Sequence, residues 1–184
     1  MYDVEVTVEG TAPLLQRRHA APADTLKEID LSSSLYRTRE GLIGQPTDHF
    51  MGCLLKAAND LDPVNQKKNN RALIKEFVFI EDEVIPHLIQ EFEEDGRYVN
   101  ITMQDHSENG KTAISKRKVW RKRPKLNKWK LAFILRVLSD EVSPVFLEEA
   151  LNRAGVAYGI GDNRPKFGRF KVTRFKVNER RDCL

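Results

Sequence analysis

Residues 128–138 repeat with a period of two: Trp129, Leu131, Phe133, Leu135 and Val137 fall on one side, and Ala132 and Ile134 on the other. A run apolar on both sides is expected of a central strand rather than an edge, so this segment predicts a sheet built around it. Residues 2–9 alternate more simply, with Val4, Val6 and Val8 against Asp3, Glu5, Thr7 and Glu9, which predicts a half-buried strand.

Helical periodicity appears twice. Over 47–61, Phe50, Leu54, Ala57, Ala58 and Leu61 form one stripe, with Thr47 as the expected N-cap and Asp62-Pro63 as the stop. Over 143–154, Ser143 is the expected cap, Pro144 the first helical residue, and Gly155 the expected C-cap. Between the helices the sequence predicts a basic loop at 64–71 and a strand at 74–80. An acidic turn at 91–96 and a hairpin follow, with Thr112–Arg123 as the return arm. A last strand is expected from Arg169. Residues 20–46 read as irregular, with a short helical turn near Leu26–Ile29.

Strand, helix, strand, long insertion, strand, helix, strand is the split β-α-β order. The fold class expected is α+β: a ferredoxin-like (βαββαβ, RRM-like) single domain over 1–184. It carries a basic β-hairpin insertion at about 84–127 and a glycine-rich loop at 159–168. Two helices would then cover one face of an antiparallel sheet, leaving the other face, or the loops at its ends, for a ligand. No apolar run is long enough to span a bilayer, and residues 1–4 show neither a basic segment nor an apolar core, so secretion is not expected. With only Cys53 and Cys183, neither a disulfide framework nor a thiolate metal site is expected. A cytoplasmic protein of a prokaryotic or phage-infected cell is the expectation, with no membrane partner and no cofactor.

Charge is the strongest functional signal. Residues 111–130 hold ten Lys or Arg and no acid, whereas the remaining 21 basic residues face all 27 acidic ones. Segregation of this kind points to a polyanion-binding surface on an acidic body. Lys116, Arg117, Lys118, Arg121, Lys122 and Arg123 would contact phosphates, and Trp120 is placed to stack on an unpaired base. Trp129 fits the core instead. Around the glycine loop, Gly159, Gly161 and Gly168 permit close backbone approach, while Arg164, Lys166 and Arg169 add positive charge. Spacing alone leaves a phosphate nest and a plain helix-to-strand turn equally open. Arg17 and Arg18, with His19, form a third basic patch after the first strand, which the expected fold brings near this loop.

Three segments carry a family resemblance. The loop Gly159–Gly168 before a final strand, Thr11-Ala12-Pro13-Leu14-Leu15 after the first strand, and Ile43-Gly44-Gln45-Pro46 leading to Leu54-Leu55-Lys56-Ala57-Ala58 resemble, in that order, segments of the RAMP superfamily. These are the repeat-associated proteins of CRISPR effector complexes. The likeness is to the backbone subunit of such complexes, or to a stand-alone phage relative of that fold. It implies a ferredoxin-like core, binding of RNA or single-stranded DNA, and head-to-tail homo-oligomers or filaments. Its implied partners are CRISPR-like effector subunits. Thr47-Asp48-His49 stands where the family has a Gly-Ser-Ser-like turn with a basic residue.

The function expected is non-catalytic RNA or single-stranded DNA binding. Two alternatives stay open: a metal-independent RAMP-type endoribonuclease using His19, and an inhibitory or structural protein that sets the basic hairpin against an acidic protein partner. The four histidines, His19, His49, His87 and His106, read as scattered, with no dyad and no third ligand for a metal.

Overall fold

The computed structural model describes residues 1–18, 31–64, 68–106 and 112–179, with backbone alone for 97–106 and 112–121. It is a mixed α+β architecture. Strands β1 (Tyr2–Gly10), β4 (Val78–Phe79), β8 (Lys130–Val137) and β9 (Phe170–Glu179) form a four-stranded sheet in the order β4-β8-β1-β9. Every neighbouring pair is antiparallel. Strands β1 and β4 therefore run parallel with β8 between them, the interleaving that a split β-α-β unit requires.

Helices α1 (Thr47–Asn59) and α3 (Pro144–Arg153) supply the apolar stripes read from the sequence. Phe50 of α1 meets Phe133 edge-on with ring centroids 4.6 Å apart and stacks on Phe170 at 5.6 Å. Val4, Val6, Val8, Leu131 and Leu135 complete the layer and are buried. Trp129 is buried as expected, its indole N–H donating to Ala12 C=O at 2.8 Å. The other side of β8 is not covered, because Ile134 is 51% exposed. The two-sided apolar pattern thus marked a central strand without marking a second layer.

Several boundaries differ from the sequence reading. Thr47 is the first helical residue rather than the cap, and its hydroxyl donates to Asp82 C=O instead of to its own helix. The expected loop at 64–71 and strand at 74–80 contain helix α2 (Asn70–Phe77), and β4 keeps only two residues of that strand. The short apolar run fits either period. Asn69 decides it by capping: its side chain accepts from Ala72 N–H at 2.7 Å. Asn70 is buried and donates to the C=O groups of Ala58, Leu61 and Asp62 at 3.0, 3.0 and 2.9 Å, tying α2 to the end of α1.

Gly155 is not a C-cap. The chain continues through one π-helical turn, Ala154–Tyr158, closed by Gly159 N–H donating to Ala154 C=O at 2.9 Å. Gly155 is there for space: a Cβ would lie 2.2 Å from Phe170 O. The helical turn expected near Leu26–Ile29 lies outside the described residues, and Leu31–Ser34 form a short 3₁₀ turn.

Strands β6 (Glu93–His106) and β7 (Thr112–Leu126) form the expected hairpin, paired from Glu93↔Lys125 to His106↔Thr112. The expected acidic turn at 91–96 belongs mostly to β6. The root of β7 pairs with β2 (Leu14–Leu15), and β3 (Gly44–Pro46) pairs with β5 (Val84–Pro86) ahead of α1. The turn expected at Ser107–Gly110 lies outside the described residues. No helix among the described residues is long and apolar enough to cross a membrane.

Candidate nucleic-acid interface

The glycine loop folds onto the segment that follows β1, bringing two sequence signals together. Asp162 N–H donates to Leu15 C=O at 2.9 Å, Gly168 N–H to Pro13 C=O at 2.8 Å, and Thr11 N–H to Arg169 C=O at 2.8 Å. Two glycines make this possible. Gly161 has φ +78, and a Cβ there would lie 2.4 Å from Leu14 Cδ1 and 2.6 Å from Leu15 O; Gly168 has φ +76, and a Cβ would fall 1.8 Å from Ile160 O.

This geometry separates the two readings of the loop. The N–H groups of Gly159, Ile160, Asp162, Asn163, Phe167 and Gly168 already donate to protein acceptors. Most of the loop's N–H groups are thus engaged within the protein, and the loop is a tightly closed turn rather than an open nest. Arg164, Lys166 and Arg169 are exposed around it. A cleft of about 370 Å³ opens between the loop, the π turn and α1, lined by Lys56, Tyr158, Asn163 and Arg164 among others.

The remaining predicted residues divide by location. Arg18 is exposed and Arg17 half-buried beside Tyr36, whose hydroxyl donates to Arg17 C=O at 2.9 Å. His19 lies outside the described residues. Lys116, Arg117, Lys118, Trp120 and Arg121 lie on β7 opposite Thr102, Ile101, Asn100, Tyr98 and Arg97 of β6. Lys122 is exposed and pairs with Glu94 at 3.0 Å.

Arg123 is a correction. It is 5% exposed, and its Nη1 lies 2.5 Å from Asp162 Oδ2. Its guanidinium faces the glycine loop rather than solvent, so it ties the hairpin root to that loop instead of extending the exposed ribbon. The acids the linear reading set apart, Glu93 and Glu94, sit opposite Lys125 and Pro124. Pairing therefore balances charge at the root, while the backbone partners of residues 116–121 are Arg97 to Thr102, none of them acidic.

Sequence reasoning missed the residues between these patches. His49 and His87, read as scattered, belong to one polar cluster. Gln16 Nε2 lies 3.2 Å from Gln45 Oε1 and 3.3 Å from His87 Nε2, and Gln45 Nε2 lies 2.8 Å from His49 Nδ1. His49 also meets Tyr36 edge-on, with ring centroids 5.3 Å apart. Burial, and next the Arg164 guanidinium, hold the His49 pKa below the ordinary histidine range. Burial alone takes His87 down to about 4. Gln16 and Gln45, which join the two histidines, are buried, and a buried glutamine has no signature in the sequence. No group of three or more metal-ligating side chains is present among the described residues.

Solved structures share this fold. A chain of the Type III-B Cmr-beta bound to cognate target RNA superposes with a TM-score of 0.58 at 13% identity, over 97% of this chain and 61% of that one. Cmr6 from Pyrococcus furiosus does so with a TM-score of 0.51 at 9% identity, over 92% of this chain and 97% of that one. Both are RAMP-superfamily proteins, so the resemblance read from three short segments is matched in the fold. This chain spans about three fifths of the Cmr-beta chain it matches. No family model matches the sequence, and no curated protein matches it.

Proposed function

We propose that this protein is a non-catalytic RNA or single-stranded DNA binding protein with a ferredoxin-like RAMP core. Its hairpin, at about 84–127, is an insertion into one domain, and its setting is a CRISPR-type effector assembly or a related single-strand binder. One observation carries the reading. Lys56 and Arg164 line the cleft beside the glycine loop, the segment leading to Arg17 and Arg18 is bonded to that loop through Leu15, and Arg123 ties the root of the basic hairpin to it through Asp162. This supports reading the basic hairpin and the loop as parts of one polyanion-binding site. The RNA in the Cmr-beta assembly supports the choice of a nucleic-acid ligand.

The test is a fluorescence-anisotropy titration with matched single-stranded RNA, single-stranded DNA and duplex at two salt concentrations. Single-strand binding that weakens with salt by a log–log slope of about 0.7 per phosphate contact supports the reading. No binding to any of the three shifts the site to an acidic protein partner. The nuclease alternative predicts metal-free RNA cleavage that His19→Ala abolishes; intact RNA after long incubation excludes it.

A further inference from the structure

A chain of amides fixes which nitrogen of His49 carries its proton. Gln16 Oε1 accepts from Tyr36 N–H at 3.2 Å, and Gln16 Nε2 donates to Gly44 C=O at 2.7 Å. Two backbone groups of opposite kind thus set the orientation of that amide. Gln16 Nε2 then faces Gln45 Oε1 at 3.2 Å, because turning Gln45 over would place two NH₂ groups against each other. Gln45 therefore presents its Nε2 to His49 Nδ1 at 2.8 Å. An amide nitrogen only donates, so Nδ1 accepts and the proton of the neutral ring sits on Nε2. Gln16 and Gln45 are both buried, which keeps water from substituting in the chain.

The ring lies against Tyr36, whose hydroxyl donates to Arg17 C=O at 2.9 Å. Arg164, Asp48 and Asp162 are the charged groups that act on His49, and Tyr36 is its ring neighbour. His49 is partly exposed, and its Nε2 has no hydrogen-bond partner among the described residues.

We propose that His49 is a neutral Nε2–H donor to a phosphate oxygen of the bound strand, held in that tautomer by the positioning residues Gln16 and Gln45. This rests on the nucleic-acid reading above and deepens it. A nitrogen that already holds a proton cannot take one from a ribose 2′-hydroxyl, so His49 in this state is a binding residue and not a general base. The site then combines point charges with one uncharged donor of fixed direction, a contact the basic-residue pattern does not reveal.

Two measurements test this on the full chain. ¹⁵N spectra of the imidazole rings at pH 7 should show His49 as the neutral Nε2–H tautomer. Gln45→Glu should move the proton to Nδ1, since a carboxylate accepts where the amide donated. Titration with a fluorescein-labelled single-stranded RNA should show His49→Ala weakening binding by about ten- to a hundredfold at an unchanged salt slope, the effect of one hydrogen bond from a neutral donor to a charged acceptor. His49→Gln, which keeps an N–H donor, should recover most of the loss, and Arg164→Ala should lower the slope by about 0.7.

An Nδ1–H or imidazolium ring at pH 7 overturns the proposal. So does unchanged affinity in His49→Ala, or a fall in slope, which would mark a cationic contact. If the native protein binds no single strand, the nucleic-acid reading and this contact fail together, while the ring spectrum still judges the amide chain by itself.

Discussion

His87 is 2% exposed, with Nε2 near Gln16 and no partner for Nδ1. Burial takes its pKa down to about 4, so the unfolded chain binds the proton first as pH falls from about 6.5. Stability is complete above pH 6.5 and drains away down to about pH 4, by roughly 3 kcal/mol for this one group. Urea titrations at pH 7 and pH 4.5 should show the loss, and His87→Gln should flatten this part of the profile. Cys53 is the opposite case, an acid kept neutral: burial pushes its thiol up to about 12. In a Cys183→Ser background the folded protein should leave a thiol reagent unconsumed at pH 8 and react with one equivalent once denatured. Two glycines give another contrast. Gly52, inside α1, has nothing within 4 Å of a Cβ, so Gly52→Ala should raise stability by about 0.5–1 kcal/mol. Gly168→Ala forces a positive φ and a backbone collision with Ile160 O, and should cost more than about 3 kcal/mol. Thermal unfolding of the two variants should move in opposite directions.

At the scale of elements, α2 shows where the sequence was readable and where it was not. Strands β1 and β8, helices α1 and α3, and the hairpin were legible because each carries a long, strict period. Helix α2 has eight residues, too few for a period to declare itself, and its identity comes from Asn69 and Asn70 acting on backbone groups. Asn70→Ala would strip donors from three carbonyls near the end of α1, and a loss of about 2–4 kcal/mol is expected in chemical denaturation. The candidate site divides in the same way. Its glycine loop and Arg17–Arg18 patch were visible as composition, and the bonding of the loop to the segment just before that patch fits the expected topology. The Arg123–Asp162 pair was invisible, since it joins residues 39 apart in the chain and turns a predicted phosphate ligand into a structural tie. Asp162→Asn removes a negative charge from a polyanion site, yet breaks the ion pair that ties a buried guanidinium to the loop. It should therefore loosen the loop, with faster amide exchange over 159–168, and weaken strand binding rather than strengthen it.

Over the whole molecule, the two faces of the main sheet have different uses. One is packed by α1 and α3. The other presents Asp3, Glu5 and Glu9 of β1 to basic neighbours: Arg174 at 2.7 Å and Lys176 at 3.9 Å from Glu5, Lys171 at 3.9 Å from Glu9, and Arg136 at 4.0 Å from Asp3. The two central strands, β1 and β8, turn Tyr2 and Phe133 to the core and no aromatic ring to this face, so it lacks the stacking surface by which an RRM holds bases. Replacing Arg174 and Lys176 together by Gln should leave strand affinity within about twofold, whereas Arg17 and Arg164 replaced by Gln should lower it at least tenfold. Equal losses in both pairs would move the ligand onto the sheet. The hairpin meets this body along one short line, where Glu93 lies opposite Lys125 and β2 pairs alongside β7. Its two arms leave the body side by side and run about 45 Å in matched register. A ribbon mounted in this way is a detachable ruler. Removing residues in opposed pairs, two from each arm, shortens its reach by about 7 Å a step, keeps every remaining side chain on its original face, and leaves the body that holds it unaltered.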